Sequence, residues 1–297
     1  MFLSNIAYRL GETQSISQLS SFTDDDQIEL LRTLGLSNFC KMAKPLKSEI
    51  SLTIADTLKG VQEPIDALVV STSTLNDKKV LNSDLSEALV SNGLENIPPI
   101  GVFLADCGNI VSALRVCKGL VENEGKRQIL LILFDRCVDE KDRLMKPAIS
   151  ILSDAVATCL ISSAAPISES YQITNIVQIA NHKVRLLDPD QDFLKHLKFF
   201  GEGIKKLGED FYSLTNTEPN AYNHLITNNY NLSVLRLIYQ QLRMTSEVLY
   251  KDNLANTAHS FSMDTLIALK NDFHGNIALL STGVCTWGLF GARRMVQ

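Results

Sequence analysis

One order of strand and helix signals runs through this chain twice, and that repetition constrains the fold more than any other feature. In the first half come IDALVVSTST (65–74), GVFLADC (101–107) leading into a helical pattern, ILLILF (129–134), and the pair PAISIL and VATCLIS. In the second half come HLITNNYN (224–231), VLYKDNLANT (248–257) leading into another helical pattern, IALL (277–280), and a closing run CTWGLFGARR. Each half alternates short β-branched runs with helix-length segments, the grammar of right-handed βαβ units. A repeat of this size fixes architecture, because each copy must bury its faces against the other. The chain therefore divides into halves at 1–165 and 166–297. Ligands of such sheets bind beyond the carboxyl ends of strands, where helix N-termini point. Three loops occupy that position: Asp106-Cys107, Thr227 to Asn231, and Asn253 to Thr257.

The finer reading places helices at Asp24 to Leu34, where acidic residues suit the first turn, and at Ser48 to Leu58 and Ser83 to Ser91. Another runs from Cys107 to about Glu124, ended by Gly125, and others span Asp190–Leu214 and Leu232–Met244. Thr257 to Lys270 reads as one further continuous helix. Ala148–Leu152 and Val156–Ser162 read as a hairpin about Ser153-Asp154, and Val248-Leu249 as a short strand. The first forty residues alternate only loosely.

Composition excludes several classes. Lys and Arg number 28 against 33 Asp and Glu, a net charge of −5 with no basic run, so nucleic acid is an unsuitable partner. The longest uninterrupted aliphatic stretch, Ile129 to Phe134, is far too short to span a bilayer. The N-terminus lacks the basic and apolar regions of a signal peptide. Six cysteines (Cys40, Cys107, Cys117, Cys137, Cys159, Cys285) form no CxxC pair and no zinc-ligand spacing with histidine. Reduced thiols in a cytoplasmic protein without a metal site are the expectation. Asp24-Asp25-Asp26 reads as a solvated helix start, His224 as a core histidine, and Cys117 and Cys285 as apolar packing positions.

Cys107 stands apart. It sits at a strand-to-helix turn, where the positive end of the helix favours the thiolate and turn amides can stabilise an oxyanion. Around it a family resemblance is visible. The run ADCGNIVSALRVCKGLV resembles the cysteine helix start of the thiolase superfamily, most closely β-ketoacyl-acyl carrier protein synthase III. Arg32-Thr33-Leu34-Gly35-Leu36 resembles that family's RTGI segment, and ILSDAVATCLIS resembles its glycine–aspartate–glycine hairpin. Asn256-Thr257-Ala258 resembles its asparagine–threonine–serine segment, and TGVCTWG (282–288) its glycine-rich loop. The matches come in family order and run nearly end to end.

That resemblance implies an α/β, thiolase-like five-layered αβαβα fold built from two duplicated mixed-sheet halves. It implies Cys107 as the nucleophile that takes an acyl group from a thioester, either the phosphopantetheine of an acyl carrier protein or coenzyme A. It implies Asn256 as the family's catalytic asparagine, and the Cys107 and Val284 backbone amides as the oxyanion site. The family's histidine falls on Asn228, which can donate to a thioester oxygen but cannot carry a proton. His259, one helical turn beyond Asn256, is the candidate base in its place. Asn109, Thr282 and Val284 stand where the family has glycines. Ser37 and Ser233 stand where it has arginines for the coenzyme A nucleotide, which turns the expectation toward a carrier-protein donor. The functional expectation is a ketosynthase III-like acyltransferase of fatty-acid-like or specialised biosynthesis. The alternative is a catalytically degenerate subunit of a heterodimeric ketosynthase. The family's habit is dimerisation, as a homodimer or with another ketosynthase-like chain.

Overall fold

The computed structural model describes residues 1–19, 25–75, 83–145, 148–166, 169–188 and 191–295; Asp24 and Asp190, at the heads of two expected helices, lie outside them. The first half contains β1 (Phe2–Leu10), β2 (Glu12–Ser15), α1 (Asp25–Thr33), β3 (Asn38–Lys41), α2 (Leu46–Leu58), β4 (Ala67–Ser71) and α3 (Leu85–Val90). It continues with β5 (Pro99–Val102), α4 (Asn109–Asn123), β6 (Gln128–Asp135), β7 (Leu144–Met145), β8 (Ser150–Ile151) and β9 (Ala155–Ser162). The second half contains β10 (Ser170–Ala180), α5 (Phe193–Thr215), β11 (His224–Ile226), α6 (Leu232–Gln241), α7 (Leu254–Thr257), α8 (Asp264–Ala268), β12 (Asn276–Thr282) and β13 (Thr286–Met295).

Nine strands join in the order β11-β12-β13-β10-β1-β9-β6-β4-β5. β4 is parallel to β5 and β6, and β11 is parallel to β12, whereas β9, β1, β10 and β13 run antiparallel to their neighbours. The order is mirrored about the β1–β10 seam. β4 answers to β11, β6 to β12 and β9 to β13, and Leu249 bridges Leu225 in parallel at the place where β5 flanks β4. The duplicated signals of the sequence thus occupy equivalent places in the sheet.

The strand period of two sorts side chains into layers. Ile129, Leu131 and Leu133 of β6 face a central cluster shared with Ile110, Leu114 and Cys117 of α4 and with Leu266 and Ile267 of α8. Leu130, Ile132 and Phe134 face the opposite way, onto Ile50 and Ile54 of α2 and Leu89 of α3. In the second half Ile277 and Leu279 of β12 face the central cluster. Ala278 and Leu280 face Ile204, Leu207 and Phe211 of α5 and Leu235 and Ile238 of α6. Helix, sheet, helix, sheet, helix is the resulting section, the αβαβα arrangement. Because β6 is covered on both faces, its sequence is continuously aliphatic rather than alternating. Gly203 lets α5 approach β13: a Cβ there would lie 2.7 Å from the Trp287 ring.

Four local expectations need correction. The first residues contribute β1, whose antiparallel pairing with β10 joins the two halves. Ser150-Ile151 pairs with Leu144-Met145, not with β9, because β9 is taken up by β1 and β6. Ser246–Val248 is a 3-10 turn, and only Leu249 makes a bridge. The continuous helix expected over Thr257–Lys270 is broken. α7 stops at Thr257, Ala258 takes φ 44° and ψ −139°, Phe261 takes φ 52°, and a 3-10 turn precedes α8. Side-chain-bearing residues avoid positive φ unless surrounding contacts enforce it, and this break carries the site.

Candidate active site

The chain leaves β5 through Leu104 (φ 74°) and Asp106 (φ 49°), and a 3-10 turn over Asp106–Gly108 leads directly into α4. This sharp turn presents Cys107 at the head of a 15-residue helix. Neighbouring loops hold it. Ser281 Oγ donates to the Cys107 carbonyl at 2.6 Å, and Asn109 Oδ1 accepts from the Ala105 N–H at 2.9 Å. Gly283 lies so close that a Cβ there would fall 2.2 Å from the Ala105 carbonyl oxygen, which requires glycine.

Opposite Cys107, the broken helix delivers His259, fully buried. Its backbone is anchored on both sides: the His259 N–H donates to Ile151 O at 2.9 Å, and Ser153 N–H donates to His259 O at 2.8 Å. Its ring lies between Tyr230 and Phe261, with centroids 5.1 Å and 6.2 Å away. His259 Nδ1 lies 2.5 Å from Asp264 Oδ2. That carboxylate also accepts from the Asn229 N–H at 2.9 Å, Asn229 Nδ2 at 3.2 Å and the Ser260 N–H at 2.8 Å. Four donors around one buried carboxylate fix its position and keep it an acceptor. Asp264 therefore takes the Nδ1 proton of His259 as its partner, and this leaves Nε2, buried and without a hydrogen-bond partner, as the free nitrogen of the ring.

Electrostatics link that nitrogen to the thiol. Burial holds the Cys107 thiol above its ordinary range, only partly offset by the neighbouring His259, so the thiolate that the helix N-terminus was expected to favour is opposed by desolvation. For His259, burial opposes the charged form, but the neighbouring Cys107 and Asp264 outweigh it and raise the imidazole from 6.5 to about 10. Such a pair shares a proton and titrates as a unit.

The other expected site residues fall as follows. Asn228 reaches the same centre, but its amide is engaged at both ends: Nδ2 donates to Phe261 O at 3.2 Å and Oδ1 accepts from the Thr282 N–H at 2.7 Å. Asn256 does not reach it. It is exposed on the four-residue α7, because the chain breaks immediately afterwards and turns His259 inward instead. The Val284 N–H donates to Asp106 Oδ2 at 3.2 Å, so it is not a free oxyanion donor, and Arg185 Nη2 holds the same carboxylate oxygen. Asp264, Tyr230 and Arg185 escaped the sequence reading. Asp264 carried a signal, a carboxylate five residues after a histidine, which a continuous helix would have turned to a different face.

Cys107 opens onto a cavity of about 580 Å³. Its walls are mainly apolar, among them Ile149, Val184, Phe193, Leu197, Phe200 and Leu237. The size is within the usual range for a small-molecule pocket. Two polar groups on its wall are committed inward. Asn231 caps α6 by accepting from the Ser233 and Val234 N–H groups at 2.9 and 3.0 Å, and Tyr230 Oη is 2.9 Å from Thr282 Oγ1. Among the described residues no group of three metal-ligating side chains occurs, all six cysteines are free, and no helix is long and apolar enough to cross a membrane.

Solved structures align with the chain over nearly its whole length. The acyltransferase ChlB3 superposes with TM-score 0.82 at 12% identity, covering 99% of this chain and 98% of its own. The 3-oxoacyl-[acyl-carrier-protein] synthase III of Aquifex aeolicus VF5 gives TM-score 0.80 at 14% identity, covering 98% and 99%. The chain has the thiolase-like fold. The corresponding synthase III of Pseudomonas aeruginosa PAO1 gives 0.77 at 17% identity, covering 98% and 97%. No protein-family model and no curated protein sequence matches the chain. On this thiolase-like scaffold, the residues that meet at the centre are the chain's own set: Cys107, His259 and Asp264, with Asn228 locked beside them.

Proposed function

We propose that this protein is an acyltransferase that loads an acyl group from a thioester onto Cys107 and passes it to a hydroxyl, amine or thiol acceptor. The observation that carries the proposal is the buried line Cys107–His259–Asp264, whose Cys107 lines an apolar cavity. Nucleophile, base and orienting carboxylate in that order are the parts acyl transfer requires. Asp264 holds the Nδ1 proton, and Nε2 takes the proton of Cys107 Sγ. The thiolate attacks the donor carbonyl, the donor thiol leaves with the proton from Nε2, and the acyl group remains as a Cys107 thioester. The acceptor then gives its proton to Nε2 and attacks that thioester, and Cys107 leaves as thiolate and recovers the proton.

Decarboxylative condensation fits less well. It needs several aimed donors on a developing thioester enolate, and Asn228, held by Phe261 O and the Thr282 N–H, has only the second N–H of its amide to offer. The donor is a pantetheine thioester, presented by an acyl carrier protein or carried on coenzyme A. Ser37 and Ser233, standing where the resemblance sets arginines for the coenzyme A nucleotide, favour the first. A second copy of the chain is the expected partner at the outer edge of β5, where Pro99, Ile100 and Gly101 are exposed on an unpaired strand. Intact-protein mass spectrometry after incubation with acyl-pantetheine thioesters tests the reading. One acyl mass appears on the wild type and none on Cys107→Ala. No adduct from any donor refutes it and leaves a non-catalytic partner subunit.

A further inference from the structure

Asp135, at the end of β6, is fully buried and has no part in the acyl-transfer line. One oxygen is saturated: Oδ1 accepts from Thr72 Oγ1 at 2.8 Å, Ser73 N–H at 2.6 Å, Thr74 N–H at 3.0 Å and Thr74 Oγ1 at 2.6 Å. The other, Oδ2, is buried with no partner. Burial pushes this carboxyl up from 3.8 to about 6 despite those four donors. Two hydroxyls nearby share its condition. Ser71 Oγ and Ser262 Oγ are also buried and unpartnered. Ser71 follows Val69 by two residues and Asp135 follows Leu133 by two, and both leading residues face the central layer. On paired strands β4 and β6, Ser71 and Asp135 therefore project into that same layer. The 3-10 turn carrying Ser262 packs against both β6 and the Cys107 turn. Asn109 Nδ2 donates to Thr72 O at 3.2 Å, which ties the head of α4 to the same corner. Asp135 is near enough to Cys107 for its charge to resist thiolate formation.

An orphaned buried polar atom costs about 1–3 kcal/mol, and native interiors hold few of them. Nine such side-chain atoms occur among the described residues, and three of them, on the neighbouring strands β4 and β6 and on the turn packed against β6 and the Cys107 turn, could serve one hydrogen-bonding guest. We propose that Ser71, Asp135 and Ser262 form a polar subsite for the far end of the acyl group on Cys107, and that this acyl group carries a hydrogen-bond donor such as a hydroxyl. The inference rests on Cys107 being the acyl acceptor and adds what the acyl group is. A guest hydroxyl donates to Asp135 Oδ2 and accepts from a serine Oγ, whereas an alkyl group of the same size leaves all three unpaired. Sites built to bind a substrate hydroxyl reject the analogue lacking it far more strongly than apolar pockets sort by size.

Single-turnover acylation of Cys107 by two near-isosteric pairs of pantetheine thioesters tests this: glycolyl against propionyl, and 3-hydroxypropionyl against butyryl. The hydroxyl donor is expected to react at least about ten-fold faster in one pair or both. Asp135→Asn supplies the second reading. The donors around Oδ1 hold the amide oxygen there, so the amide NH2 takes the place of Oδ2 and turns an acceptor into a donor. The preference then falls several-fold, read as the ratio of the two rates because loss of the Asp135 charge eases thiolate formation for both donors of a pair alike. Ser71→Ala, a smaller disturbance, lowers the preference without touching the carboxylate. Equal rates within both pairs, or a preference untouched by both variants, overturn the proposal and show that the corner holds water. No acylation by any of the four donors refutes the acyl-acceptor reading itself, and the subsite with it.

Discussion

Replacing Asp264 by asparagine changes one atom and leaves two of four hydrogen bonds without an acceptor. Oδ2 serves His259 Nδ1 and the Asn229 N–H, and Oδ1 serves the Ser260 N–H and Asn229 Nδ2. An amide has one acceptor oxygen, so its NH2 must point at donors on one side or the other. If it points at His259, the ring must present a bare Nδ1 and carry its proton on Nε2, which disables the base facing Cys107. If it points away, Ser260 and Asn229 lose their acceptor, at a cost of about 1–3 kcal/mol of stability. The same exchange in a serine-hydrolase triad lowers kcat by about 10⁴ with the geometry intact. A fall of about 10³–10⁴ in the single-turnover acylation rate is therefore expected, or about 4–5.5 kcal/mol.

A pH series checks the same reasoning through stability. His259 is raised from 6.5 to about 10 in the folded protein. The folded state then holds this proton more tightly than the unfolded state does. Its contribution is full below about pH 6.5 and is lost as pH climbs toward 10. Asp264→Asn removes one of the charges that raise it, so the decline of Tm between pH 6.5 and 9 becomes shallower. Acylation within three-fold of wild type, together with an unchanged slope of Tm against pH, would refute the assignment of Asp264 as the orienting carboxylate.

Asn256→Ala is expected to leave acylation within two-fold and stability within about 0.5 kcal/mol, as for other exposed positions. Asn228→Ala removes the acceptor of the Thr282 N–H and is expected to cost about 1–3 kcal/mol in chemical denaturation. Ile100→Lys, at the exposed edge of β5, is expected to shift the sedimentation coefficient from dimer to monomer, since an edge lysine blocks strand pairing. Gly203→Ala places a methyl against the Trp287 ring and is expected to lower stability by about 1–3 kcal/mol, read by urea unfolding.

Periodicity and repetition made most of the fold legible. ILLILF could only be a strand covered on both faces, and the doubled order of signals matched the mirrored order of the sheet. β1 and β10 escaped because they lie where the halves meet. There the alternation of FLSNIAYRL and SYQITNIVQIA is diluted by polar residues, and pairing partners 160 or more positions away leave no local mark. The site was legible at Cys107, whose place at a strand–helix turn follows from local order. It was not legible at Asn256 or Asp264. Thr257 to Lys270 has good helical spacing, and nothing local shows that Ala258 and Phe261 adopt positive φ; contacts with Ile151, Ser153 and Asn229 enforce it.

That break decides which side chains meet at Cys107 on this scaffold. Three loops converge on Cys107: the β11–α6 loop with Asn228, the α7–α8 break with His259, and the β12–β13 turn with Thr282. Because they meet at one point, the proton-carrying group can arrive on any of them. Where the resemblance sets a histidine on the first, this chain has the amide of Asn228, and an imidazole, His259, arrives on the second, while Asn256, matched to the family's asparagine, stays exposed. An imidazole at the second position lies within reach of a carboxylate five residues on, Asp264, which orients it. The amide left behind is bound to the Thr282 N–H and the Phe261 carbonyl, and it braces the other two loops against each other. Under the proposed function, the single oriented base that results is the arrangement heteroatom acylation requires.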